Sequence, residues 1–382
     1  MLLRVIYQGL YGGWLCAMAM VVYADTVPNL YEATIPVRSQ DREERDDAIR
    51  LALVEVLVRV SGRNNIAESE EYPRIKGSLV NATNYAQQFR FRDKTPNKYS
   101  AAAELPLELW VKFDPVVVNK LLRDNNVPIW DKTRPGTLLW LVVEERGQRE
   151  LFSQGSNNVT RAVLDERARI RGLPIHYPLL DVTDSAALQV SEVWGNVAEV
   201  ILQASQRYQN ESVLVGRLSH ESSGLWTARW TLYHDGRKQD WNASAVAMNQ
   251  AIDLAINGTT DYLASRYAQV SQAEDSIITV QIKDIKSLTD YNRTVKYLRS
   301  LTQTKAVNLL SVQADSAVFK VTTSVGRLGL ARSIALSQIL LSDFLEKTPQ
   351  NLPNIQGQLS PANVVAGSVA PVVPDLVYRL SP

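Results

Sequence analysis

Hydrophobic and polar positions along this chain change period several times, and each change marks a new element. Leu30, Glu32, Thr34 and Pro36 alternate with Tyr31, Ala33, Ile35 and Val37, which predicts an edge strand ended by Pro36. The spacing then lengthens. Ile49, Leu53, Val56 and Val60 recur every three or four residues, giving one apolar helical stripe with Gly62 as the stop. Asp41 with Glu44 three residues on reads as a capping box, and Glu43, Asp46 and Asp47 suit the positive end of the helix dipole. A second helix over 81–88, strands over 88–92 and 102–113, and a short helix over 116–123 complete a first domain, residues 25–132.

Residues 137–144 form a continuous apolar run, as expected of a strand buried on both faces. A helix over 158–171 ended by Gly172, a strand over 173–179 and a long helix over 186–208 follow. Three strands over 212–219, 225–233 and 237–243 are joined at Ser223-Gly224 and Asp235-Gly236, and a helix over 246–267 closes a second domain, 133–270. Beyond a polar linker at 271–276, Ile278, Val280 and Ile282 alternate with polar neighbours and open a third domain, 275–382. It continues with a helix over 288–301, strands over 307–312 and 317–325, and a helix with Leu328, Ala331, Ala335 and Ile339 on one stripe. A proline-rich excursion at 346–374 precedes a last strand at Leu376, Tyr378 and Leu380. That order, βαββαβ, is ferredoxin-like. The expected class is α/β (α+β), with three small mixed-sheet domains.

The amino end changes the picture of where the chain works. Arg4, an apolar run through Trp14, Leu15, Met18 and Met20, and the closing Val22-Tyr23-Ala24 predict a secretory signal peptide cleaved after Ala24. Gln8, Gly9, Gly12 and Gly13 keep the uninterrupted apolar stretch short of the ~20 residues of a membrane span, although retention as an anchor is the alternative. Cys16, the single cysteine, lies in that run, so the mature chain would carry no thiol and would reside in the periplasm. Cleavage also removes Arg4 and leaves 40 basic against 40 acidic side chains. A neutral chain releases no counterions from nucleic acid and is not drawn to anionic lipid. The expected partner is instead an envelope protein or a peptidoglycan-associated one, with no nucleic acid and no stable membrane insertion.

Candidate chemistry is sparse. His176, His220 and His234 share no ligand spacing, so neither a metal nor another cofactor is expected. Gly-x-Ser-x-Gly, Ser-x-x-Lys and His-Glu-x-x-His are all missing. Gly326-Arg327-Leu328-Gly329 follows a strand and opens a helix, so its amides could receive an anion; without a following Lys-Ser/Thr, a plain tight turn is favoured. Trp226 and Trp230 share one strand face, as a sugar platform or, the favoured reading, as core. Trp130 and Arg134 sit in a connector stiffened by Pro128 and Pro135. They either lock the first two domains together or anchor a partner, and the shortness of the connector favours the lock.

Several stretches together resemble a bacterial family of domains of unknown function numbered two thousand and sixty-six. They include Leu30-Tyr31-Glu32-Ala33, Val60-Ser61-Gly62, Val127-Pro128-Ile129-Trp130, Arg134-Pro135-Gly136-Thr137, Arg171-Gly172-Leu173-Pro174, Ala204-Ser205-Gln206-Arg207-Tyr208 and Val213-Leu214-Val215-Gly216-Arg217. Such a resemblance implies a secreted protein of Gram-negative bacteria and assigns no activity. The middle domain also resembles, at the level of fold, the amino-terminal domain of TolB and related envelope-assembly modules. Arg207 and Tyr208 join Trp130, Arg134, Gly326 and Gly329 as candidate binding residues, and no residue is a catalytic candidate. The function expected is a non-enzymatic periplasmic binding or scaffolding protein. The alternatives are an envelope glycan-acting enzyme with carboxylates assembled from distant segments, or a carrier of a small anionic ligand.

Overall fold

A computed structural model describes residues 25–93, 105–156, 159–270, 275–337, 339–343 and 374–381. The signal sequence expected at 1–24, most of the expected linker at 271–276 and nearly all of the proline-rich excursion expected at 346–374 lie outside the described residues. In chain order the first lobe holds β1 (Asp25–Thr26), β2 (Glu32–Val37), α1 (Arg42–Ser61), α2 (Pro73–Ser78), a 3-10 turn (Leu79–Tyr85), β3 (Ala86–Asp93), β4 (Leu107–Phe113) and α3 (Pro115–Asp124). The strands form an antiparallel sheet in the order β2-β4-β3, which places Pro36 on an edge, where its missing N–H costs nothing. Leu109, Val111 and Phe113 of β4 pack with Ile49, Leu53 and Val56 of α1. Period-two alternation therefore turns Trp110 and Lys112 to the opposite face.

Two local expectations fail here. Asp41 makes no side-chain cap; the Glu44 carboxylate reaches back beyond it to accept from the N–H of Arg38 at 2.6 Å and of Ser39 at 3.0 Å. The helix expected over 81–88 is a 3-10 turn ending at Tyr85, because residues from Ala86 onward pair with β4.

The second lobe holds β5 (Thr133–Arg134), β6 (Thr137–Glu145), β7 (Gln148–Leu151), α4 (Val159–Arg171), β8 (Ile175–His176), α5 (Val182–Ala187), α6 (Val190–Gly195), α7 (Ala198–Ser205), β9 (Ser212–His220), β10 (Trp226–His234), β11 (Arg237–Ala245) and α8 (Met248–Tyr267). Its sheet runs β11-β10-β9-β6-β7, with β8 parallel to the start of β6. The central strand β6 explains the unbroken apolar run. Leu139 and Leu141 pack into a core with α4 and α8, whereas Leu138, Trp140 and Val142 pack into a second core with α6 and α7.

The single long helix expected over 186–208 is three short helices. Leu188 is extended at the end of α5, Gln189 and Glu192 form a capping box that restarts the chain, and Asn196 turns left-handed at φ 53° to end α6. The strand expected over 173–179 is confined to Ile175 and His176. Trp230 is buried in the α4/α8 core, its indole N–H donating to the Ala251 carbonyl at 3.1 Å, so it belongs to no sugar platform.

The third lobe holds β12 (Ser276–Lys283), α9 (Leu288–Ser300), β13 (Thr304–Gln313), β14 (Ser316–Thr323), α10 (Arg327–Ala335), β15 (Leu340–Ser342) and β16 (Leu376–Leu380). Strands β13-β14-β12-β16 keep the ferredoxin-like order, and β15 adds an outer strand antiparallel to β16. This addition shortens the helix expected to reach Ile339 and leaves β16 parallel to β12. The class is mixed α/β, and among the described residues no helix is long and apolar enough to cross a membrane.

Candidate functional site

The connector from Ile129 to Arg134 touches all three lobes. The Trp130 N–H donates to the Val60 carbonyl near the end of α1 at 2.8 Å, and Ile129 exchanges two backbone hydrogen bonds with Gln269 just past α8. The Asp131 carboxylate accepts from the Thr302 hydroxyl at 2.6 Å and the Thr302 N–H at 3.1 Å, reaching the third lobe.

Arg134 is fully buried, yet its guanidinium donates to carbonyls rather than to a carboxylate. It reaches Arg59 O at 2.8 Å, Gly172 O at 2.8 Å and Arg171 O at 3.2 Å, the last carbonyls of α1 and α4. Two further arginines make the capping reciprocal. Arg59 of α1 donates to the Arg169 carbonyl of α4 at 3.1 Å, and Arg171 of α4 donates to the Gly62 carbonyl past α1 at 2.9 Å. Helix C-termini leave carbonyls unpaired and carry partial negative charge, so two converging ends can hold a cation without a counter-ion. Burial nevertheless pushes the Arg134 guanidinium down to about 9, and neighbouring Arg59 adds to the fall.

Glycines make this approach possible. Gly62 takes φ 72°, and a Cβ there would stand 2.3 Å from Ala264 Cβ. A Cβ on Gly172 would stand 2.5 Å from an Arg134 guanidinium nitrogen.

Beside this junction lies a cleft of about 520 Å³ between the outer face of the first-lobe sheet and the end of α4. Val27, Pro28 and Pro174 form apolar wall, Trp110 a ring wall, and Arg59 and Gly172 border the junction. Trp110 donates its indole N–H to Glu32 at 3.1 Å, and the Arg92 guanidinium stands 5.4 Å from the Trp110 ring centre. None of these cleft side chains was a candidate binding residue in the sequence. A lone arginine in the otherwise apolar Val56–Val60 run was the one available signal, for Arg59.

The other expected binding residues lie elsewhere and are occupied. Arg207 pairs with Asp181 at 2.7 Å and with buried Asp184 at 2.8 Å, while the Tyr208 hydroxyl donates to Asp184; together they pin α5 beneath α7. Gly326 caps α10, and Gly329 packs where a Cβ would stand 2.3 Å from Gln269 Oε1, which makes the segment a packed turn. The six expected residues thus fall in three separate places.

Two further clusters bear titratable groups. Ser212 Oγ stands 2.8 Å from His234 Nδ1, the spacing of a nucleophile and its base, but both are buried and His234 Nε2 is taken by the Tyr267 hydroxyl at 2.9 Å. His234 is held below the ordinary histidine value chiefly by burial. Nearby, Glu211 accepts from the Gly136 N–H at 2.7 Å, and His176 lies between Asp25 at 3.2 Å and Asn210 at 2.7 Å. Burial pushes Glu211 up to about 7, and the Asp25 carboxylate adds to the rise. Among the described residues no three His, Cys, Asp or Glu side chains gather as a metal site would require.

Residues 24–131 are similar to a family described as Domain of unknown function (DUF8605). This corrects the expected resemblance. The match falls on a different family from the one numbered two thousand and sixty-six and ends at the connector, whereas most of the short tags behind that expectation lie beyond it. A comparison with curated proteins finds no match. One solved structure, titled "Crystal structure of uncharacterized protein", is 11% identical, covers 34% of this chain and 88% of its own, and has a TM-score of 0.13. A likeness that weak says nothing of fold, and the expected TolB-like middle domain finds no support.

Proposed function

We propose that the protein is a non-enzymatic scaffolding component of the Gram-negative envelope, acting in the periplasm once residues 1–24 are removed. The observation that carries this reading is an apolar edge. Strand β13 borders its sheet, and Leu309, Leu310 and Val312 on it are 43%, 44% and 63% exposed. An unpaired edge with exposed apolar side chains is a template for a partner strand. The connector supports the same reading, since lobes tied to one buried hub hold such a surface at a fixed position.

Photo-crosslinking in cells from position 310 tests it, read against position 320 on the inner strand β14. The proposal expects a discrete adduct with an envelope protein from position 310, lost in Leu309→Glu, with the purified variant melting as the parent does. Intact mass of periplasmic protein beginning at Asp25 tests the location.

A further inference from the structure

The cleft between the first-lobe sheet and α4 has the volume of a small-molecule site, which typically spans about 300–1,000 Å³. Its charges are unevenly matched. Arg59 is committed to Glu55 and to backbone carbonyls, and Arg169 to Glu166 at 2.9 Å and Glu55 at 2.9 Å. Glu32 is occupied by the Trp110 indole and faces Lys112 at 4.0 Å. Arg92 differs: among the described residues it has no carboxylate partner, and only the Trp110 ring lies beneath it. A guanidinium held over an aromatic face keeps its planar N–H fork turned outward, the geometry that accepts a carboxylate in two-point fashion.

Apolar side chains continue from that fork into the cleft. Val27 and Pro174 are half-buried there and Pro28 is exposed, so their apolar surface stands open beside the Trp110 ring. A fully charged or sugar-like molecule would leave this wall unused, and a neutral one would leave Arg92 unanswered. We infer that the cleft binds a small monoanionic amphiphile, a carboxylate on an apolar body, with the carboxylate on Arg92 and the body against Val27, Pro28 and Pro174. This site lies in the first two lobes and is separate from the β13 edge, so either assignment stands or falls alone.

Calorimetric titration of the full chain with decanoate, and with decanol as its uncharged counterpart, tests the assignment. Decanoate should bind at least about tenfold more tightly than decanol, the order expected of one charge-assisted contact. Arg92→Gln should abolish that preference while leaving decanol affinity and the melting temperature unchanged. Arg45→Gln is the control for lost positive charge, because Arg45 stacks on Phe89 at 5.5 Å outside the cleft. It should leave decanoate binding intact. Equal binding of the two probes, no binding of either, undiminished preference in Arg92→Gln, or loss in Arg45→Gln would each overturn the proposal.

Discussion

The Arg134 guanidinium carbon lies 4.1 Å from the centre of the Trp130 ring, four residues back on the same connector, and both side chains are fully buried. The ring covers one face of the cation while helix-end carbonyls take its edge. A planar, delocalised charge is suited to that position, and a compact ammonium is not.

Replacing Arg134 with Lys should therefore destabilise the protein even though the charge is kept. Lysine reaches fewer of the carbonyls at once, and stranding buried acceptors costs about 1–3 kcal/mol each. Trp130→Ala should cost about 3–5 kcal/mol, the range for removing a buried large aromatic. Trp130→Phe should cost less, since the indole N–H has no acceptor among the described residues. Urea unfolding midpoints of the three variants decide the matter, and an unchanged midpoint in Trp130→Ala would refute the lock.

Gly62→Ala combines a left-handed backbone with a collision against Ala264 Cβ. Overpacking and an αL alanine together should cost about 2–4 kcal/mol. Gly147→Ala is a useful reference, with φ 77° and nothing near its Cβ, so it reports the backbone cost alone. Equal melting temperatures for the two variants would show that the close packing at Gly62 contributes nothing.

Asp131→Ala removes both hydrogen bonds to Thr302. The parent should unfold in one calorimetric transition, whereas the variant should show the third lobe melting earlier. An undivided, unshifted transition would mean that Asp131 does not couple the lobes.

Glu211 sets a dependence on pH. The folded protein holds this proton up to about 7, above the ordinary value of 4.5 that the unfolded chain retains. Folding therefore takes up a proton between those values, and stability from this group is complete below 4.5 and falls as pH climbs through 7. Glu211→Gln removes the dependence. The variant's stability relative to the parent should rise from pH 4.5 to 7, as measured by chemical unfolding at several pH values; a flat difference would sink the assignment.

How much of this was legible in sequence depended on whether a signal was periodic or local. The α1 stripe and the apolar β6 run reflect burial that repeats along an element, and both elements stand where the pattern put them. Residues 186–208 carried enough helix formers to read as one helix, but the breaks depend on single conformations, extended Leu188 and left-handed Asn196, that composition does not reveal. The cleft was invisible for another reason. Arg92 and Trp110 are eighteen residues apart and become neighbours only when β3 pairs with β4, while Leu173 arrives from the second lobe. Trp130 and Arg134 were legible because a stiff, short connector announces itself locally.

The connector also has a consequence for the order of events in folding. Its partners lie 75 residues away at Arg59 and 171 away at Thr302, so the hub closes only when chain segments far apart in synthesis have each found their own sheets. Contacts of such sequence separation reward the chain only after large loops have closed, which makes them late ones. Interactions absent from the folding barrier act chiefly as a brake on opening. The buried arginine and tryptophan would then govern how long the assembled protein lasts far more than how fast it forms.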